Sequence, residues 1–191
     1  MSVRPLSERI GQEMEWECTS FWGTCWELRA GSEVMAKVSR VKWWSERMVA
    51  TLEARSYRVA TNWRSHLRVF DADRARDPHA APLLVYVPIG LRRDEAAKRA
   101  GLGASLQQGR LMRGGQLVAW VRRPRFFGRS YELVDPAGQV LANFETLGGA
   151  FRVCRQVRVT IAARARGLEG LSLLVMLAGW AVICGRRPKS S

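Results

Sequence analysis

The chain has 191 residues, and its 31 Lys and Arg against 17 Asp and Glu give a formal charge of +14. That length suits one domain whose core can enclose a whole element, and the charge predicts attraction to phosphate-bearing surfaces without choosing among them. Cys18, Cys25, Cys154 and Cys184 show no Cys-x-x-Cys spacing, and the first ten residues lack the apolar run of a secretory signal, so a disulfide scaffold is excluded and a cytoplasmic protein with reduced thiols is expected.

Residues 1–20 mix charge with isolated apolar groups, and Ile10, Met14 and Glu17 fall at helical spacing, which predicts a short helix in an N-terminal extension. From Phe21 the pattern changes to short runs rich in Trp, Val and Tyr, separated by turn residues, the mark of an all-β region. Strands are predicted at 22–28 and 34–41, flanking the turn Arg29-Ala-Gly-Ser-Glu33, at 48–52 and 57–63 across Glu53-Ala-Arg-Ser56, and at 66–70. Residues 71–82 are polar and carry two prolines, as a long surface loop would. A strand at 83–89 and a short helix at 93–100, stopped at Gly101, fill the centre. The β pattern resumes over 106–161, with strands predicted at 117–121, 130–134, 139–144 and 151–161. In the last of these, apolar residues alternate with Arg152, Gln156, Arg158 and Thr160, so one side packs inward and the other presents guanidinium groups to water or to an anion.

Residues 168–184 carry no charge after Glu169, and Arg186, Arg187 and Lys189 follow. A helix apolar on every side belongs in a large core or in a bilayer. From Leu171 to Cys184 it measures about 21 Å at about 1.5 Å per residue, short of the roughly 30 Å of a bilayer's hydrocarbon core. It therefore reads as a buried central helix whose deletion unfolds the domain. A tail anchor is the rival reading.

Catalytic and metal motifs are missing from the sequence. His66 and His79 have no cysteine or carboxylate at zinc-ligand spacing, so no metal and no cofactor are expected. Asp71-Ala-Asp73 opens like a calcium loop but lacks its later ligands, and reads as a solvated turn. Gly101-Leu-Gly103 and Gly114-Gly115 carry none of the remaining parts of a nucleotide fingerprint. What stands out is basic and aromatic: Lys42, Trp43, Trp44 and Arg47 form one group between strands, and Arg122, Arg123, Arg125 and Arg129, with Phe126 and Phe127, form another. Either group suits contact with a lipid headgroup layer or a phosphate. The plainer reading makes the aromatics core and the arginines a solvated rim. Nucleic acid is the alternative partner, because tryptophans can stack on bases.

Two hairpins resemble each other: Trp26-Glu-Leu-Arg-Ala-Gly-Ser-Glu-Val-Met-Ala-Lys-Val38 and Tyr131-Glu-Leu-Val-Asp-Pro-Ala-Gly-Gln-Val-Leu-Ala-Asn-Phe144. They read as equivalent hairpins in two halves of one barrel. With the closing apolar helix, they make the chain similar to the tubby C-terminal-like superfamily, which includes the LURP-one-related proteins and the phospholipid scramblases. The resemblance covers roughly residues 20–185. It implies a mainly β, α+β fold, a closed antiparallel β-barrel of about twelve strands around a C-terminal hydrophobic helix, with 1–20 as an extension, 21–185 as the barrel domain and 186–191 as a basic tail. Animal-type tubby domains bind phosphoinositide headgroups through basic residues, which implies a ligand class here: anionic phospholipid or another phosphate-bearing surface, bound without enzymatic activity by a protein peripheral at the inner membrane face.

Overall fold

The structure, a computed structural model, describes residues 5–20, 24–40, 47–61, 66–74, 77, 79–89, 105–124, 129–147 and 156–184. Among these residues twelve strands form a closed barrel. They are β1 (Glu13–Cys18), β2 (Cys25–Ala30), β3 (Glu33–Arg40), β4 (Arg47–Leu52), β5 (Arg55–Thr61), β6 (Leu67–Asp71), β7 (Leu84–Ile89), β8 (Ser105–Arg113), β9 (Gln116–Arg122), β10 (Ser130–Val134), β11 (Val140–Leu147) and β12 (Gln156–Ile161). Each strand pairs antiparallel with its sequence neighbours, and β1 closes the ring on β12 through Met14 opposite Val159 and Trp16 opposite Val157. Closure removes both sheet edges, so no row of unpaired backbone groups faces water along the wall.

The helix α1 (Leu171–Cys184) belongs to the interior. Apart from Ser172 at its start and Cys184 at its end, each of its residues is buried. Inward residues of the wall surround it, including Met14, Trp16, Trp26, Leu28, Tyr86, Tyr131, Phe144 and Val157, all within one apolar cluster. The alternation that strands impose explains the outer surface: in β4, Met48, Ala50 and Leu52 are buried while Arg47, Val49 and Thr51 are exposed. Gly179 lets the wall close onto the helix. A Cβ there would run into the Trp16 indole nitrogen. Gly109 does the same between strands, since a Cβ would lie 2.5 Å from the Val87 carbonyl oxygen and 2.6 Å from the Tyr86 ring. No helix among the described residues is long and apolar enough to cross a membrane. Because α1 is also enclosed, the tail-anchor reading of 168–184 is replaced by a buried plug.

The antiparallel order fixes what lies at each end. Connections leaving even-numbered strands, among them the tight turns at Gly31 and Gly114-Gly115, gather at the end where α1 begins, called here the lower end. Connections leaving odd-numbered strands gather at the upper end. The short 3-10 turn Leu6–Arg9 seals the lower mouth: Leu6 is fully buried, its backbone N–H donates to Glu53 Oε1 at 2.8 Å, and Arg9 pairs with Glu33.

Three expectations change. The N-terminal helix is not formed; Glu13–Cys18 is a barrel strand instead, so the barrel starts before residue 21. Residues 105–113, not singled out as a strand, form the long β8. The two similar hairpins are β2–β3 and β10–β11, each with a register shift just after the matching leucine, Leu28 or Leu133. They stand eight strands apart in the chain rather than six, so the likeness is one of hairpins and not of half-barrels. The helix expected at 93–100 and the strand start at 151–155 lie outside the described residues.

Candidate functional site

The outer wall has two chemically different sides. On β10, β11, β12, β1, β2 and β3, carboxylates and cations are placed opposite one another by register. Arg158 of β12 stands across from Glu15 and Glu145 and lies 3.7 Å from the carboxylates of Glu13, Glu15 and Glu145. Arg29 reaches Glu27 at 2.6 Å and Glu17 at 4.0 Å, and Lys37 reaches Glu27 at 3.1 Å. Burial pushes the Glu27 carboxyl up, but hydrogen bonds from Arg29 and Lys37 outweigh it and hold the group below the usual carboxylate range. The Glu27 hydrogen bond, helped by Cys25, holds the Lys37 ammonium above its usual value. These cations are occupied.

On β4 to β8 the composition changes. The strands carry Arg47, Arg55, Arg58, Arg68, Arg110 and Arg113, and their only carboxylate is Asp71 at the lower end of β6. Register sets the arginines in a lattice. Arg47 faces Ala60, Ala60 faces Arg68 and Arg68 faces Val85 along one row, while Val49, Arg58 and Phe70 face one another along the next. With strands about 4.8 Å apart, Arg47 and Arg68 stand roughly 10 Å apart with Arg58 on the row beside them. Arg58 is half-buried and lies over the Phe70 ring, 4.6 Å from its centroid, a cation–π contact. Among the described residues no carboxylate pairs with Arg58 or Arg68.

The residues singled out from sequence are distributed as follows. Arg47 is exposed at the upper end of β4 and belongs to this arginine wall. Lys42, Trp43, Trp44 and Arg125 lie outside the described residues. Arg122 ends β9 and its Nε donates to Glu132 Oε2 at 2.7 Å. The Arg123 backbone N–H donates to Gln108 Oε1 at 3.1 Å, and its guanidinium lies 5.6 Å from the centre of the Tyr131 ring. Arg129 is exposed just before β10, and its carbonyl accepts from the Thr146 N–H and hydroxyl at 2.9 and 3.0 Å. The described members, Arg47 on one hand and Arg122, Arg123 and Arg129 on the other, sit at the upper end, but β4 and β9 are five strands apart around the ring, so they share a rim and not a face. Arg58, Arg68 and Arg110 were not singled out. For Arg58 and Arg68 the available signal was the lack of carboxylates between Glu53 and Asp71 on a stretch with four arginines.

Two further observations limit the chemistry. No group of three or more metal-ligating side chains is assembled among the described residues. The chain has eight tryptophans, and the four that are described, Trp16, Trp26, Trp120 and Trp180, are all buried, so none offers a face to a nucleobase.

Fold and surface together define a closed twelve-strand barrel, plugged by its own C-terminal helix, with ion pairs on one side and an excess of arginine on the other. No family model matches the chain, and no curated protein does. Among solved structures it is similar in fold to a protein of Arabidopsis thaliana determined by X-ray crystallography, with a TM-score of 0.56 at 7% identity over 96% of each chain.

Proposed function

We propose that this chain is a non-enzymatic, tubby-like binding domain that docks on phosphate-bearing surfaces, anionic lipid headgroups foremost, through the arginine wall of β4 to β8. The observation that carries this reading is the division of the barrel's outer charge: cations opposite carboxylates on one side, arginines with almost no carboxylate on the other. A broad, gently convex cationic surface matches a headgroup layer, where each Lys or Arg near an anionic membrane contributes about 1 kcal/mol. The barrel around a helix, the hairpin at 131–144 and the fold shared with the Arabidopsis protein support membership in the tubby C-terminal-like superfamily.

Nucleic acid would use the same charge, but base stacking needs an exposed aromatic, and the described tryptophans provide none. Flotation with phosphatidylcholine vesicles, alone or with phosphatidylserine or a phosphoinositide, tests the proposal. The protein is expected to float with both anionic compositions and stay behind with the neutral one, and a single-stranded oligonucleotide is expected to compete weakly. Equal flotation with neutral and anionic vesicles would defeat the proposal, as would complete displacement by an oligonucleotide at a concentration that leaves lipid phosphate in excess.

A further inference from the structure

A cleft of about 980 Å³ opens at the lower mouth, between the lower ends of β5 and β6, the connection from β6 to β7 and the first turn of α1. Its floor is apolar, formed by the buried Leu52 and Leu171. Leu83 and Leu168 stand at its rim, 40% and 41% exposed, and they are two of the three large apolar side chains left exposed among the described residues. Monomeric proteins leave single leucines exposed without consequence, but two on one concavity, above an apolar floor, form a surface that a hydrocarbon chain would cover.

The polar groups of the cleft are unequally occupied. Three of its four carboxylates are acceptors for neighbours: Glu53 takes the Leu6 N–H and the Ser172 hydroxyl, Asp71 takes the Asp73 N–H at 3.0 Å, and Asp77 takes the His79 N–H at 2.8 Å, while the fourth, Glu169, is exposed at the rim. The cations have neutral partners at most: Arg55 bonds to the Tyr57 hydroxyl and Arg113 to a backbone carbonyl. Arg55, Arg74 and Arg113 line the cleft, and none is paired with a carboxylate among the described residues. Gly170 leaves room for Arg113, whose guanidinium a Cβ there would meet, and its Nη2 donates to the Glu169 carbonyl oxygen at 3.4 Å. Burial raises the Tyr57 hydroxyl pKa, with Arg55 drawing it down and Glu53 and Asp71 adding to the rise, so the phenol stays neutral and able to donate. Guanidinium donors thus line the cleft beside bare leucine, and Glu53, Asp71 and Asp77 already accept from neighbours.

We infer that the lower-mouth cleft is a second binding site, separate from Arg58 and Arg68 on the wall, for a small anionic amphiphile. A phosphate or carboxylate head bonds to Arg113 with Arg55 or Arg74, and a short apolar tail lies across Leu83 and Leu168. Charge-assisted hydrogen bonds to one guanidinium, or removal of one leucine's worth of apolar area from water, each correspond to about tenfold or more in affinity.

Calorimetric titration with decyl phosphate below its micellar range tests this, with decanol and inorganic phosphate as the two halves of the ligand. Decyl phosphate should bind at one site about tenfold or more tighter than either half. Arg113→Gln and Leu168→Gln should each weaken it about tenfold, Arg113→Lys should restore part of the loss, and Arg68→Gln should leave it unchanged. Leu168 is a surface residue, so its variant folds even if Arg113→Gln proves unstable. Inorganic phosphate binding as tightly as decyl phosphate would point to a free anion and overturn the amphiphile. Indifference to both cleft substitutions, or dependence on Arg68 instead, would overturn the site.

Discussion

A chain ending at residue 169 is expected to lose cooperative folding altogether. The helix it would lack contributes nine large buried side chains, Leu171, Leu173, Leu174, Val175, Met176, Leu177, Trp180, Val182 and Ile183, each favoured inside by about 1.5 to 3 kcal/mol. Ordering the helix costs back a comparable sum, about 1 to 2 kcal/mol for each residue's backbone. The helix by itself is therefore close to neutral, and the wall decides the outcome. Without α1 the inward faces of Trp16, Trp26, Tyr86, Tyr131 and Phe144, all fully buried now, would line an empty lumen. A closed ring of twelve strands cannot collapse to fill it, because each strand is held at fixed spacing by ladders on both sides. The lost packing exceeds the about 5 to 15 kcal/mol by which domains are stable. Thermal unfolding followed by near-ultraviolet circular dichroism checks this: the truncated chain should show no sigmoidal transition, and a cooperative one would mean that the wall stands without its plug.

Reversing two charges on the arginine wall, Arg58→Glu with Arg68→Glu, is expected to abolish binding to anionic vesicles. Each reversal removes an attraction of about 1 kcal/mol and adds a repulsion of similar size, so the pair changes the partition free energy by about 4 kcal/mol, roughly a thousandfold. Stability should fall little. Neither arginine has a carboxylate partner among the described residues, and only the stacking of Arg58 on Phe70 is lost, a contact worth about 0.5 to 1 kcal/mol at an exposed site. The matched control is Arg164→Glu with Arg166→Glu, which makes the same change in net charge at exposed positions after β12. Vesicle sedimentation at low and physiological salt should separate the two proteins, the wall variant staying in solution and the control binding nearly as the parent does. Equal losses would mean that total charge, and not its placement, governs docking.

The helix was legible in the sequence because fourteen residues without charge, apolar on every side, have one suitable environment in a chain of this size. The barrel was legible from short runs broken by turns, and the two hairpins from their matching residues. The first strand was misread because Ile10, Met14 and Glu17 fit a helical period, while the stronger signal was the strict alternation of Glu13, Glu15 and Glu17 with Met14 and Trp16. That alternation puts the three carboxylates on one face, with Glu15 opposite both Arg29 and Arg158, Glu13 diagonal to Arg158 and Glu17 diagonal to Arg29. β8 was obscured by Gln107, Gln108 and Gly109, which weaken an apolar pattern, although Gly109 is required for the close approach to Tyr86. The wall was least legible. Proximity in the chain favours clusters such as Arg122-Arg123-Pro-Arg125, whereas ladder register joins Arg47, Arg58 and Arg68 from three different strands. The same register gives Arg122 a carboxylate, Glu132, directly across from it.

Backbone amide relaxation of the protein bound to phosphatidylserine nanodiscs with spin-labelled headgroups tests most directly whether one side of the barrel does the docking. The account predicts that broadening concentrates on the amides of β4, β5 and β6, around Val49, Arg58 and Arg68, and spares β1, β2 and β12. Broadening centred on β1 and β12, or spread evenly around the ring, would contradict it.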